Sequence, residues 1–154
     1  MNYLWKYKTP VGFDDMWMSS DGTVLTGLWF DGSKDTGKQE RNGEMQLLPI
    51  FEETVRWLDL YFGGEVPAFT PAYRIGKLTD FRSEVQAQMR EIPYGKTVTY
   101  GDTARVIGEK HGVARMSAQA VGGAVGANPI CIIVPCHRVM GAGINYYRDY
   151  KDFF

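Results

Sequence analysis

The chain has 154 residues, 44% of them hydrophobic, with 17 Lys and Arg against 18 Asp and Glu for a formal net charge of -1. That is enough for one large domain or two small ones, and no apolar run approaches the ~20 residues of a membrane span. Met1-Asn2-Tyr3-Leu4-Trp5-Lys6 lacks a signal-peptide pattern, and Cys131 and Cys136 lie too close in sequence for a useful disulfide framework, so a soluble, cytoplasmic protein is expected.

Met16 to Phe30 carries Asp21-Gly22 between apolar-rich arms, a β-hairpin signature. From Leu48 to Phe62, the residues Phe51, Val55, Leu58 and Phe62 recur at helical spacing, and Gly63-Gly64 ends the run. This predicts an amphipathic helix whose apolar face packs into a core. Pro67 to Pro71 reads as an extended connector, and a boundary near residue 75 separates an N-terminal part, 1–75, from a C-terminal part, 76–154. The first part holds 7 Lys and Arg against 11 Asp and Glu, a net of -4, and the second 10 against 7, a net of +3. Only the second suits a phosphate backbone, with weak and salt-sensitive non-specific affinity.

In that second part, Thr79 or Asp80 caps a helix with Phe81, Val85, Met89 and Ile92 as its apolar stripe, and Pro93 stops it. Tyr100 to Gly108 predicts a short helix, His111-Gly112 a break, and Ser117 to Ala127 a small-residue helix. Two short helices joined by a glycine-containing turn suggest helix-turn-helix. Gly122, Gly123 and Gly126 each cost about 1 kcal/mol relative to alanine in a helix interior. Close approach of another backbone justifies them, whether from helix packing or from DNA.

The β-branched run Ile130-Cys131-Ile132-Ile133-Val134, bounded by Pro129 and Pro135, predicts a short buried strand. Cys136 and His137 follow where that strand gives way to a loop, a position expected to be partly exposed. A thiol becomes a strong nucleophile when a nearby cation, base or helix N-terminus lowers its pKa from the ordinary value of about 8.5. Cys131, inside the run, reads as a small buried hydrophobe, whereas position alone leaves Cys136 open to that reading or to a reactive one.

Four blocks occur in order: 92–102 (Ile-Pro-Tyr-Gly-Lys-Thr-Val-Thr-Tyr-Gly-Asp), 117–124 (Ser-Ala-Gln-Ala-Val-Gly-Gly-Ala), Asn128-Pro129, and Pro135-Cys136-His137-Arg138. Together they resemble the O6-alkylguanine-DNA alkyltransferases, also called methylated-DNA-protein-cysteine methyltransferases, over about Thr79 to Gly143. The resemblance implies a mixed α/β (α+β) protein. Its N-terminal domain would be a ribonuclease H-like sheet with a helix, and its C-terminal domain mostly helical, helix-turn-helix and winged-helix-like. It further implies DNA repair by single-turnover transfer of the alkyl group from O6-alkylguanine, and from O4-alkylthymine, in double-stranded DNA to Cys136. The alkylated oxygen lies on a pairing edge inside the duplex, so the base must first be flipped out. Sulfur then displaces guanine at the alkyl carbon, which needs neither metal nor diffusible cofactor. A monomer acting once is expected.

Site roles follow from the same resemblance. Cys136 is the alkyl acceptor, and His137 the base that takes its proton through a water. Asn128 is the hinge that ties the second helix to the cysteine loop. Tyr100 crowds the phosphate backbone and contacts the extruded base, and the carbonyls of Cys136 and Val139 read the guanine amino group. Arg138 braces the loop. Two departures stand out. Gln119 occupies the place where the family commonly has an arginine that fills the hole left by the flipped base. The tail, 144–154, lacks the family's serine- or threonine-containing loop and the glutamate that orients the histidine; Glu109, Asp149 and Asp152 are the candidates to replace that glutamate, and the sequence does not choose among them. The tail therefore keeps open a non-catalytic protein that binds the lesion. Two further alternatives are a metal module using His111, Cys131, Cys136 and His137, whose spacing fits no common zinc pattern, and a cysteine hydrolase.

Overall fold

The computed structural model describes residues 2–31, 43–113, 116–141 and 144–145, and divides them between two compact units. The first comprises Met1–Gly76 together with Pro129–Ile133, and the second Lys77–Asn128 together with the chain from Val134 onward. The segment Pro129–Ile133, assigned by sequence to the C-terminal part, thus groups with the N-terminal one. The reason is a hydrogen-bonding partner far away in sequence. Leu28 N–H donates to the Pro129 carbonyl at 2.8 Å, and Cys131 N–H donates to the Leu28 carbonyl at 3.0 Å.

The first unit contains a four-stranded sheet in the order β3-β2-β1-β4. Its strands are β1 (Tyr3–Tyr7), β2 (Met16–Ser20), β3 (Leu25–Phe30) and β4 (Glu44–Met45). The predicted hairpin is β2 and β3, paired antiparallel with a register shift between Ser19 and Ser20. Asp21 Oδ1 accepts from Thr23 N–H at 2.9 Å and Val24 N–H at 3.2 Å, and Gly22 takes φ +113, which a glycine tolerates. The outer edge of β3 is covered at two places, by Ile130 beside Leu28 and by Tyr73 beside Leu25. Such cover removes a free edge that would otherwise pair with another chain.

The predicted helix is α1 (Pro49–Phe62), with proline in its first turn and Gly63 as its C-cap. Its buried face differs from the predicted stripe. Val55 is only half-buried, whereas Thr54, Trp57 and Tyr61 join Phe51, Leu58 and Phe62 in the core. Thr54 escapes the cost of burying a hydroxyl because its Oγ1 donates to the Ile50 carbonyl at 2.7 Å, one turn back. Trp57 stacks on Tyr61 at 5.2 Å between centroids, and Phe13 meets Phe62 edge-on at 5.2 Å.

The run Ile130 to Val134 does not form the predicted strand. Only Ile130 bridges to Leu28, and the chain then turns, with Ile132 at φ +68 and the Ile133 N–H donating to the Cys131 carbonyl at 2.8 Å. This is the positive-φ form of the γ-turn, rare for any residue and strained for a β-branched one. Its persistence requires that the surroundings fix it, and Ile130, Cys131 and Ile132 are all buried.

The second unit holds α2 (Asp80–Arg90), α3 (Tyr100–Lys110), α4 (Ala118–Gly126) and a small sheet. That sheet has the order β5 (Val98–Thr99), β6 (Val139–Gly141), β7 (Ile144–Asn145). Each helix has a side-chain cap: Thr79 for α2, Thr99 with Asp102 in a capping box for α3, and Ser117 for α4. The α3–α4 connection needs glycine twice. A Cβ on Gly108 would stand 2.9 Å from the Val113 carbonyl oxygen, and Gly112 takes φ +67. Tail residues 146–154, including Asp149 and Asp152, lie outside the described residues. No described helix is long and apolar enough to cross a membrane.

Candidate active site

The site is assembled within the second unit around one backbone oxygen. The Val134 carbonyl accepts from the Cys136 N–H at 2.8 Å and from Asn128 Nδ2 at 2.9 Å. Pro135, between them, has φ -79 and ψ 67, so residues 134–136 form an inverse γ-turn whose φ the pyrrolidine ring favours. A single 3-10 turn, Cys136–Arg138, follows, with Arg138 N–H donating to the Pro135 carbonyl at 3.1 Å. Asn128, directly after the C-cap of α4, therefore ties that helix to the cysteine turn.

This geometry corrects the expected exposure of Cys136. Because the turn folds inward rather than projecting from a strand end, Cys136 is 5% exposed, beside His137 at 2% and Arg138 at 3%. Burial pushes the His137 imidazole down from 6.5 to about 3, and the neighbouring Arg138 charge adds to the effect. His137 is thus neutral at physiological pH and not a cation that would hold a standing thiolate. Glu109, a candidate to orient it, is exposed near the end of α3.

Arg138 is turned into the loop. Its guanidinium lies 4.9 Å from the Tyr94 ring centre, and Nη1 donates to the Lys96 carbonyl at 3.5 Å. Val139 is buried, opens β6 and pairs with Val98, while its N–H donates to the Cys136 carbonyl. Tyr100 is the first residue of α3, half-buried, and its ring rests over Gly122, where a Cβ would stand 3.5 Å away. Gln119 is exposed in the first turn of α4. The glycines of α4 divide accordingly: Gly122 faces Tyr100, and Gly123 is exposed with nothing within 4 Å of a Cβ built on it.

Sequence reasoning missed Gln86. It lies on α2, is 4% exposed, and its Nε2 donates to Asn128 Oδ1 at 3.2 Å. It follows Val85 on the apolar stripe, but nothing local distinguishes a buried glutamine there from an exposed one. His111, named for a metal module, bonds Glu84 through Nε2 at 2.5 Å instead. Among the described residues no group of three or more His, Cys, Asp or Glu is placed to hold a metal ion.

The chain as a whole is similar to known proteins. Residues 80–150 match the family described as 6-O-methylguanine DNA methyltransferase, DNA binding domain. The methylated-DNA–protein-cysteine methyltransferase of Haemophilus influenzae is 35% identical over 139 residues, spanning 90% of this chain and 73% of that one. The chain belongs to this family. The Mycobacterium leprae methylated-DNA–protein-cysteine methyltransferase is 38% identical over 134 residues, spanning 87% of this chain and 75% of its own. The crystal structure of Mycobacterium tuberculosis O6-methylguanine methyltransferase superposes with a TM-score of 0.77 at 33% identity, covering 99% of this chain and 88% of that one. The Mycobacterium tuberculosis OGT solved in complex with DNA gives a TM-score of 0.75 at 33% identity, covering 93% and 81%. A methylated-DNA–protein-cysteine methyltransferase is an enzyme of DNA repair by alkyl transfer, and the matched domain is its DNA-binding part.

Proposed function

We propose that the protein takes the alkyl group from O6-alkylguanine, and from O4-alkylthymine, in double-stranded DNA onto Cys136 after the base is flipped out of the helix. The carrying observation is the shared acceptor: one Val134 oxygen fixes both the Cys136 backbone and Asn128, so the sulfur is presented from a rigid turn. In the reaction the Cys136 thiol proton passes through a water to neutral His137. The sulfur forms a bond to the alkyl carbon, the carbon–O6 bond breaks, and its electron pair leaves on guanine, which takes up a proton. The products are a thioether and unmodified guanine. A thioether does not hydrolyse, so each molecule acts once.

On the DNA side, the exposed Gln119 and open Gly123 of α4 support its close approach to a groove, and Tyr100 borders the same helix. The carbonyls of Cys136 and Val139 recognise the guanine amino group. The first unit is assigned as ribonuclease H-like and the second as winged-helix-like, with β5, β6 and β7 beside the helix-turn-helix. The protein works as a cytoplasmic monomer. Incubation with an O6-methylguanine duplex, followed by intact-mass and gel-shift measurements, tests the reading. One methyl per protein is expected; a retarded complex without any adduct would favour the non-catalytic lesion binder instead.

A further inference from the structure

Gln86 enters no step above, yet it is buried against the residue that fixes the cysteine turn. A backbone carbonyl can only accept, so the Asn128 atom 2.9 Å from the Val134 oxygen must be the amide nitrogen. The other Asn128 atom is then the oxygen, and the Gln86 atom 3.2 Å from it must be a donor. This order does not depend on how either amide is drawn: Val134 O, Asn128 Nδ2, Asn128 Oδ1, Gln86 Nε2. The Val134 oxygen sets which way the Asn128 amide faces, and the Gln86 hydrogen bond is a second anchor that holds the amide in that orientation. Its own Oε1 is buried and has no hydrogen-bond partner among the described residues. That desolvation is a cost an apolar residue of the same size would avoid. A polar side chain held here at a loss to stability is consistent with a role other than stability.

We propose that Gln86 is a positioning residue for alkyl transfer, holding Asn128 and through it the turn that presents Cys136. This inference rests on the alkyl-transfer reading of Cys136. The test measures single-turnover methyl uptake from an O6-methylguanine duplex at saturating protein. Gln86→Leu should keep a thermal midpoint close to wild type and an unchanged half-saturation concentration, while its limiting rate falls about fivefold, the worth of one neutral hydrogen bond. In an Asn128→Ala background the same substitution should have no further effect.

Gln86→Glu supplies a readout that a packing role would not move. An ionised carboxylate sets acceptor against acceptor at Asn128 Oδ1, whereas the protonated acid donates, and burial raises a carboxyl pKa. Its rate, relative to wild type at each pH, should therefore recover as pH falls. Wild-type speed in Gln86→Leu, an equal slowing with and without Asn128, or a flat relative profile for Gln86→Glu would each overturn the proposal. The same variants are treated with iodoacetamide, and Cys136 modification is followed by peptide mapping. If wild type takes no methyl from DNA, the alkyl-transfer reading fails. The iodoacetamide rates then still decide Gln86: slower modification of Cys136 in Gln86→Leu supports it, and equal rates overturn it.

Discussion

Helix α1 and the turn around Cys136 are both buried, but they are buried by different means. The face of α1 is aromatic and aliphatic, and its one buried hydroxyl, Thr54, is satisfied within the helix. The segment from Asn128 to Arg138 instead buries an amide, an imidazole and a guanidinium, and draws on α2 and the Tyr94–Lys96 loop for partners. Non-directional packing tolerates exchange of one apolar shape for another. A polar array does not, because each donor removed leaves a buried acceptor unsatisfied. The first region contributes chiefly to stability, and on the alkyl-transfer reading the second also holds the backbone turn that carries Cys136.

Truncation on each side separates the two most sharply. Phe51 is fully buried, and Phe51→Ala should cost about 3–5 kcal/mol in urea unfolding while the folded fraction transfers alkyl groups at the wild-type rate. Asn128→Ala should cost less, about 1–3 kcal/mol, yet slow transfer in the folded protein, because the Val134 oxygen and the Gln86 amide both lose a partner. If both variants slow transfer equally, the division between the regions fails.

A smaller effect is expected from pH. The folded pKa of His137 is about 3, below the unfolded value of 6.5, so the unfolded chain takes up the proton first. The stability gained by keeping His137 neutral is complete above about pH 6.5 and is lost as pH falls towards 3, at about 1.4 kcal/mol per unit. Urea melts at pH 7 and pH 5 should show this loss in wild type and a shallower one in His137→Gln. An identical slope in both would show that the imidazole is not the group responsible.

The smallest effects belong to the exposed face of α4 and its border. Gln119→Arg adds a charge and should tighten binding to lesion DNA about threefold at low salt, fading as salt rises, while Gln119→Ala and Tyr100→Ala should weaken it. Fluorescence anisotropy at matched salt checks this, and no change in any of the three would remove α4 from the DNA-facing surface.

What the sequence revealed follows the same division. The hairpin, α1, α2 and the α3–α4 pair are announced by local chemistry: Asp21-Gly22, Gly63-Gly64, the Thr79 cap, Pro93 and Gly112. Strands β1 and β4 escaped notice because their pairing is remote, and β4 is a two-residue, exposed strand. Ile130 to Val134 has strand composition, but its hydrogen bonds go to Leu28 and into a γ-turn, neither of which is encoded in the run itself. Cys136, His137 and Asn128 were legible as a motif, whereas the burial of Cys136 and the contact of Gln86, 42 residues before Asn128, exist only in three dimensions.

The central claim is that Cys136, not the more deeply buried Cys131, receives the alkyl group. Peptide mapping by tandem mass spectrometry after incubation with an O6-methylguanine duplex, on wild type, Cys136→Ala and Cys131→Ala, tests it directly. The account predicts a single methyl on Cys136 in wild type, the same in Cys131→Ala, and none in Cys136→Ala with its fold retained. Methyl on Cys131, or uptake that survives Cys136→Ala, would contradict it.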